Sequence, residues 1–270
     1  MNNAIAVLDS GVGGLTVVKE VLRQLPQEKI IYFGDTARAP YGPRSSDEVI
    51  LFTRQIVDYL MNFKPKMIVI ACNTATAVAL EDIRSRVNIP VIGVIKPGAR
   101  AAIKVTESGK IGVIGTEGTV RSQAYDAALK EISPELEVIS LACPEFVPLV
   151  EAGKFDTAET WETVRHALTP LRENQLDTLI LGCTHYPFLT PVIAEIMGSS
   201  VALINSAEET AIEISVILSY GGLLAKKTEN VPIHQFFCSG DPAIFRKITS
   251  TWLGRQIDLS PIVWQVPTIC

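Results

Sequence analysis

Short apolar runs recur along the 270-residue chain, separated by stretches in which apolar positions fall three and four residues apart. Runs such as Ile5-Ala6-Val7-Leu8 and Ile68-Val69-Ile70-Ala71 are unbroken rather than alternating, which is the pattern of strands covered on both faces. Strands are expected near Ala4–Leu8, Lys29–Phe33, Met67–Ala71, Val91–Val94, Lys110–Ile114, Glu137–Leu141, Thr178–Leu181, Val201–Ile204 and Gln235–Phe237. Between them, sets such as Val49, Ile50, Thr53, Ile56, Val57, Leu60 and Met61 draw one face of a helix. Helix starts are marked by Ser45 with Glu48, by Ser206 with Glu209, and by Asp241 followed by Pro242. Strand and helix in alternation predict an α/β fold with mostly parallel sheets.

Two of the apolar runs rhyme, each ending in a cysteine followed by hydrogen-bonding residues: Ile68-Val69-Ile70-Ala71-Cys72-Asn73-Thr74 and Leu179-Ile180-Leu181-Gly182-Cys183-Thr184-His185. A lone buried cysteine ordinarily packs as a small hydrophobe. Here both sulfurs sit where a strand should hand over to a helix, the crevice in which open α/β sheets bind ligands. A helix N-terminus favours a thiolate, so both thiols are expected to ionise more readily than a free cysteine. A second rhyme pairs Ile5-Ala6-Val7-Leu8-Asp9-Ser10 with Ile111-Gly112-Val113-Ile114-Gly115-Thr116. Ile111 follows Ile5 by 106 positions and Cys183 follows Cys72 by 111, offsets close enough to predict two similar α/β halves facing one cleft.

Composition narrows the class. The length exceeds that of most single-core domains, and 47% hydrophobic residues support a substantial core. A net charge of −5 without a basic run argues against a nucleic-acid surface. No stretch reaches 18 apolar residues and Met1-Asn2-Asn3 leads directly into a strand-like run, so a cytoplasmic protein without a membrane segment is expected. Five cysteines (72, 143, 183, 238 and 270) without paired spacing suggest neither a disulfide framework nor a metal site. Cys143, which precedes Pro144, Cys238, which ends a strand before Ser239-Gly240-Asp241, and the terminal Cys270 do not repeat the full pattern of the rhymed pair, and His166 and His234 read as structural. Gly11-Val12-Gly13-Gly14 suggests a turn and helix start; as a dinucleotide loop it fails, because Thr16 stands where the third glycine is needed.

With these motifs in hand, the chain resembles the glutamate racemases of the aspartate/glutamate racemase superfamily. The resemblance rests on Leu8-Asp9-Ser10-Gly11-Val12-Gly13-Gly14, Gly34-Asp35-Thr36-Ala37-Arg38-Ala39-Pro40-Tyr41-Gly42, Ala71-Cys72-Asn73-Thr74-Ala75 and Leu181-Gly182-Cys183-Thr184-His185-Tyr186-Pro187, in that order over essentially the whole chain. It implies two Rossmann-like or flavodoxin-like domains related by a pseudo-twofold, residues 1–96 with 206–270 forming the first and 97–205 the second. It also implies cofactor-independent interconversion of L- and D-glutamate to supply peptidoglycan, with no metal, and a possible homodimer. Inversion at Cα needs one group to remove a proton from one face and another to deliver a proton to the opposite face. Cys72 and Cys183 are the expected pair, and the resemblance places Cys72 toward D-glutamate and Cys183 toward L-glutamate. It also places Asp9 near Cys72, and His185 and Glu151 near Cys183.

Asp9 suits a substrate ammonium, and Ser10, Asn73, Thr74, Thr116, Thr119, Thr184 and His185 suit its carboxylates. The Pro40-Tyr41-Gly42 turn offers backbone amides with close approach. Two positions depart from the family pattern: Asn205 stands where Asp commonly precedes Ser-Ala, and Lys96-Pro97 stands where Glu-Pro is common. A related racemase acting on aspartate remains open, because one methylene of substrate is decided by pocket depth. So does a two-lobed amino-acid-binding protein without turnover.

Overall fold

Apolar runs too short for helices and too uniform for one-sided strands have one stable arrangement, parallel sheets with helices on both faces. The computed structural model, which describes residues 3–227, 229, 232–254 and 259–261, has that form. Its first part contains β1 (Ile5–Asp9), α1 (Leu15–Gln24), β2 (Ile30–Gly34), α2 (Ser46–Met61), β3 (Met67–Ile70), α3 (Asn73–Arg86), β4 (Val91–Gly93) and α4 (Ile95–Val105). Next come β5 (Lys110–Gly115), α5 (Glu117–Arg121), α6 (Ala124–Ile132), β6 (Glu137–Ala142), α7 (Phe146–Glu151), α8 (Ala158–Arg172) and β7 (Thr178–Gly182). A 3-10 turn (Tyr186–Leu189), α9 (Thr190–Met197), β8 (Ala202–Ile204), α10 (Ser206–Tyr220), β9 (Gln235–Cys238), α11 (Pro242–Leu253) and β10 (Leu259–Pro261) complete the described chain.

Six strands form one sheet in the order β10-β9-β2-β1-β3-β4, and four form another in the order β6-β5-β7-β8. Every registered pair is parallel. The order 2-1-3-4 in the first sheet repeats as 6-5-7-8 in the second, so β1 corresponds to β5 and β3 to β7. Those are the strands that end in the rhymed segments. The largest apolar cluster joins the two sheets, drawing on Val12, Leu15 and Val18 from the first region, Phe146 and Tyr186 from the second, and Ala207, Ala211 and Ile214 of α10. Separate clusters cover the remaining face of each sheet. Each such side chain, once fully buried, stabilises the fold by roughly 1.5–3 kcal/mol.

Local signals explain the element ends. Ser45 and Glu48 form a reciprocal capping box at the start of α2, and the Asp241 side chain caps α11 ahead of Pro242. The start of α10 differs by one residue from expectation: Asn205, not Ser206, is the cap, its side chain accepting from Ala207 N at 3.0 Å. Asparagine outranks its neighbours as a cap because its short amide oxygen reaches the N2 amide, and it does so without the charge of aspartate. The helix ends at Gly221-Gly222, where Gly222 adopts φ 64. Strand β10 had no counterpart in the sequence pattern; with Leu259 its only buried residue, it adds to the sheet edge through backbone pairing with β9. A buried ion pair, Lys66 Nζ to Glu28 Oε2 at 2.5 Å, sits at the amino ends of the first sheet. Lys66 also donates to the Leu223 carbonyl and Glu28 accepts from Ala225 N, tying down the chain that leaves α10.

His234 accepts from Ile30 N through Nδ1 at 3.2 Å, as a structural histidine, and His166 is exposed on α8. Cys143 and Cys238 are buried. Cys270 lies outside the described residues. Among the described residues no helix is long and apolar enough to cross a membrane.

Candidate active site

Parallel strands deliver the residues that follow them to one edge, and here four do so: β1 brings Asp9 and Ser10, β3 Cys72, β5 Thr116 and β7 Cys183. They meet across a narrow cavity between the two sheets, lined by Ser10, Pro40, Tyr41, Gly42, Cys72, Asn73, Thr74, Thr116, Val147, Cys183, Thr184 and His185. Both thiols are 5% exposed, so the cavity is nearly closed to solvent.

Cys72 stands at the N-cap of α3, with extended backbone, and its thiol donates to Ser10 Oγ at 3.7 Å. The lowered ionisation expected of this thiol at a helix N-terminus is not what the structure supports. Burial first, and the Asp9 charge second, push it up to about 12, against weaker help from the Ala75 amide and Ser10. Desolvation exceeds the helix-end effect because the side chain is almost wholly withdrawn from solvent. Asp9 is itself fully buried; Oδ1 accepts from Gly11 N at 2.9 Å and Oδ2 from Thr184 Oγ1 at 3.0 Å. Burial raises its carboxyl above the usual range even though His185, Gly11 and Thr184 pull the other way.

The second thiol has a different neighbourhood. Cys183 Sγ lies 3.8 Å from His185 Nδ1, and His185 Nε2 lies 2.6 Å from Glu151 Oε1. Burial favours a neutral imidazole, but the hydrogen bonds and charges of Cys183 and Glu151 together outweigh it and hold His185 well above its ordinary value. Glu151, whose burial favours the neutral acid, is nonetheless lowered by His185 and by the Val12 amide. A thiol, an imidazole and a carboxylate in a row are the parts of an activated proton-transfer group.

Hydroxyls and amides form the rest of the wall. Thr74 Oγ1, Thr116 Oγ1 and Thr119 Oγ1 form a triangle with sides of 2.8, 3.1 and 3.4 Å, joining α3 to the β5–α5 turn. Gly42 O accepts from Gly118 N at 2.9 Å, closing the loop after β2 onto that turn. Tyr41, buried behind the loop, donates to Asp35, which also accepts from Arg38 and Ser239. The glycines after β1 are there for close approach: a Cβ on Gly13 would lie 2.5 Å from His185 Nδ1, and one on Gly11 2.3 Å from Glu151 Oε1. The expectation of a turn is thereby completed, because α1 starts at Gly14 without a side-chain cap and the bare backbone instead admits side chains from the other sheet.

Eleven residues singled out in the sequence line the cavity. Asp9, Glu151 and Thr119 stand one layer back, behind Thr184, His185 and the Thr74–Thr116 pair. Sequence reasoning missed Val147 on the wall and assigned nothing to Asp35, although it lies inside one of the motifs. It also missed Tyr125, whose hydroxyl donates to Asn73 Oδ1 at 2.7 Å; on an amphipathic helix an aromatic residue reads simply as core. Among the described residues no group of three or more His, Cys, Asp or Glu side chains is placed to hold a metal ion. A larger cavity, about 840 Å³, opens between α3, α4 and α6 and shares no wall residue with this one.

Comparison with known proteins agrees with the geometry. Residues 5–213 match the family model described as Asp/Glu/Hydantoin racemase. A glutamate racemase of Listeria monocytogenes serotype 4a is 54% identical over 254 residues, covering 94% of this chain and 95% of the relative. The crystal structure of a glutamate racemase isoform from Bacillus anthracis superposes with a TM-score of 0.93 at 51% identity, over 98% of this chain and 99% of that one. A glutamate racemase from Francisella tularensis, solved in complex with D-glutamate, gives a TM-score of 0.89 at 35% identity over 97% of each chain. Sequence, fold and the paired thiols at one cleft therefore converge: the chain belongs to the Asp/Glu/Hydantoin racemase family, on its glutamate racemase branch.

Proposed function

We propose that the chain interconverts L- and D-glutamate by two-thiol proton transfer without a cofactor, supplying D-glutamate for peptidoglycan in the cytoplasm. The observation that carries the mechanism is that Cys72 and Cys183 end equivalent strands of the two sheets and face one closed cavity. A single base would return the proton to the face it came from, whereas two thiols on opposite sides give inversion. With L-glutamate, the Cys183 thiolate takes the Cα proton and the bonding pair stays on Cα, delocalised into the α-carboxylate. The Cys72 thiol then delivers its proton to the other face, leaving Cys72 as thiolate and Cys183 as thiol. D-glutamate is processed by the same steps in reverse.

Polarity around each sulfur suits this division. A protonated His185, held by Glu151, favours negative charge on Cys183, while Cys72 stays protonated beside Asp9 and is ready to donate. Thr184, whose hydroxyl is held by its donation to Asp9, would face the substrate ammonium, and Ser10, Asn73, Thr74 and Thr116 the carboxylates, where hydrogen-bond donors strengthen as charge develops on the intermediate. The Francisella relative binding D-glutamate supports the choice of substrate. We also infer that residues 1–96 with 206–270 form one lobe and 97–205 the other, a division supported by which strands share each sheet.

The test is Cα proton exchange in deuterated buffer, followed together with optical rotation, for L-glutamate and for L-aspartate. Wild-type protein should exchange and invert glutamate, and Cys72→Ala and Cys183→Ala should each abolish inversion while remaining folded. Substantial racemisation by either folded variant, or exchange on aspartate alone, would overturn the assignment.

A further inference from the structure

Asn73 carries an asymmetry that its neighbours explain. It opens α3 directly after Cys72, is 2% exposed and lines the cavity. Its Oδ1 accepts from Tyr125 OH at 2.7 Å, yet its Nδ2 is buried with no partner. A buried amide donor left unpaired is costly and persists where something else is to occupy that direction.

Tyr125 is built into this arrangement from several sides. It lies on α6, 2% exposed, reaching across to α3. A phenol has one hydrogen to give, and Tyr125 gives it to Asn73 Oδ1. That donation orients the Asn73 amide with its oxygen toward Tyr125 and leaves its nitrogen for the cavity that Asn73 lines. Burial pushes the phenol up, so it remains a donor throughout the working range. Two glycines make room: a Cβ on Gly182 would lie 3.0 Å from the Tyr125 ring, and one on Gly98 would lie 3.2 Å from its hydroxyl and 3.1 Å from Ser206 Cβ.

We infer that Tyr125 is a positioning residue for substrate binding, whose hydroxyl locks the Asn73 amide so that Nδ2 is presented to a substrate carboxylate. The bond runs from α6 to the start of α3, so the orientation of one binding group depends on how the elements around the two sheets are seated. Its only borrowed premise is the proposed function, which supplies an amino acid as the occupant of the cavity.

Tyr125→Phe keeps the ring and removes the hydroxyl. In that variant Kd for D-glutamate, measured by calorimetry, and KM should both rise about tenfold, with kcat falling less than about threefold, because one amide donor is no longer held in place. In an Asn73→Ala background the same change should have no further effect, a non-additivity that a merely structural tyrosine would not produce. Unchanged Kd and KM in Tyr125→Phe, or an equal fold-loss in both backgrounds, would overturn the inference. Wild-type protein that binds glutamate but exchanges no Cα proton would overturn the proposed function instead, and the binding comparison would still decide the role of Tyr125. Protein that neither binds nor exchanges glutamate would overturn both.

Discussion

Replacing Glu151 by glutamine tests whether the carboxylate sets the charge of His185 and, through it, the state of Cys183. The amide is nearly isosteric and still offers Oε1 to His185 Nε2, so geometry survives while the charge is lost. A hydrogen bond to a charged partner contributes about 1.5–3 kcal/mol, against about 0.5–1.5 kcal/mol for a neutral one. Glu151 retains 26% of its side-chain exposure, so solvent screens part of the difference and its lower half applies. A loss of about 1 kcal/mol moves the His185 protonation equilibrium roughly fivefold toward neutral imidazole. With the positive ring gone from 3.8 Å away, charge on Cys183 loses its support.

Glutamate enantiomers have equal free energies, so kcat/KM must fall by the same factor in both directions, by about fivefold. The direction-specific signature is the isotope effect with Cα-deuterated substrate, which should grow for L-glutamate, where the proposed mechanism has Cys183 take the proton, and not for D-glutamate. Nitrogen NMR of the histidines gives the second readout, and the chain holds only three of them, His166, His185 and His234. A His185 that remains charged in Glu151→Gln, or a kcat/KM within about twofold of wild type, would refute the reasoning.

Lys66→Met should destabilise the fold by about 3–5 kcal/mol in urea unfolding, because it leaves the Glu28 carboxylate buried beside an apolar side chain, and a paired Glu28→Gln change should recover part of the loss. An effect below about 1 kcal/mol would show that the pair is not desolvated. Alkaline stability should follow Cys72: its folded value, about 12, exceeds the ordinary 9.0, so the unfolded chain releases its proton first. Stability from this group is complete below pH 9.0 and declines up to about 12, with a slope of up to about 1.4 kcal/mol per pH unit. The decline should be shallower in Cys72→Ala, and an identical slope would refute the claim.

Much of this protein was determined along the chain. Continuous apolar runs require strands covered on both faces, so Ile5–Asp9, Met67–Ile70 and Thr178–Gly182 were recognisable within a residue, and the near-equal spacing of the two rhymes announced two similar halves. The capping box at Ser45 is a local interaction and needed no tertiary knowledge. Strand β10 escaped because three residues paired at a sheet edge leave almost no periodic signal. The cysteines, Asp9 and the hydroxyl residues were recognisable because the ends of parallel strands are where such chemistry collects. What each one does was a matter of surroundings that sequence does not encode locally. Position at a helix end alone argued for an easily ionised Cys72, and burial beside Asp9 reversed it. Glu151 lies 34 positions from His185, and Tyr125 lies 52 from Asn73; the first pair became a hydrogen bond only when the second sheet assembled, and the other only when the two sheets came together. Desolvation and through-space pairing belong to the packed molecule, so the residues were written in the sequence, while their charge states and partners were decided by the tertiary structure.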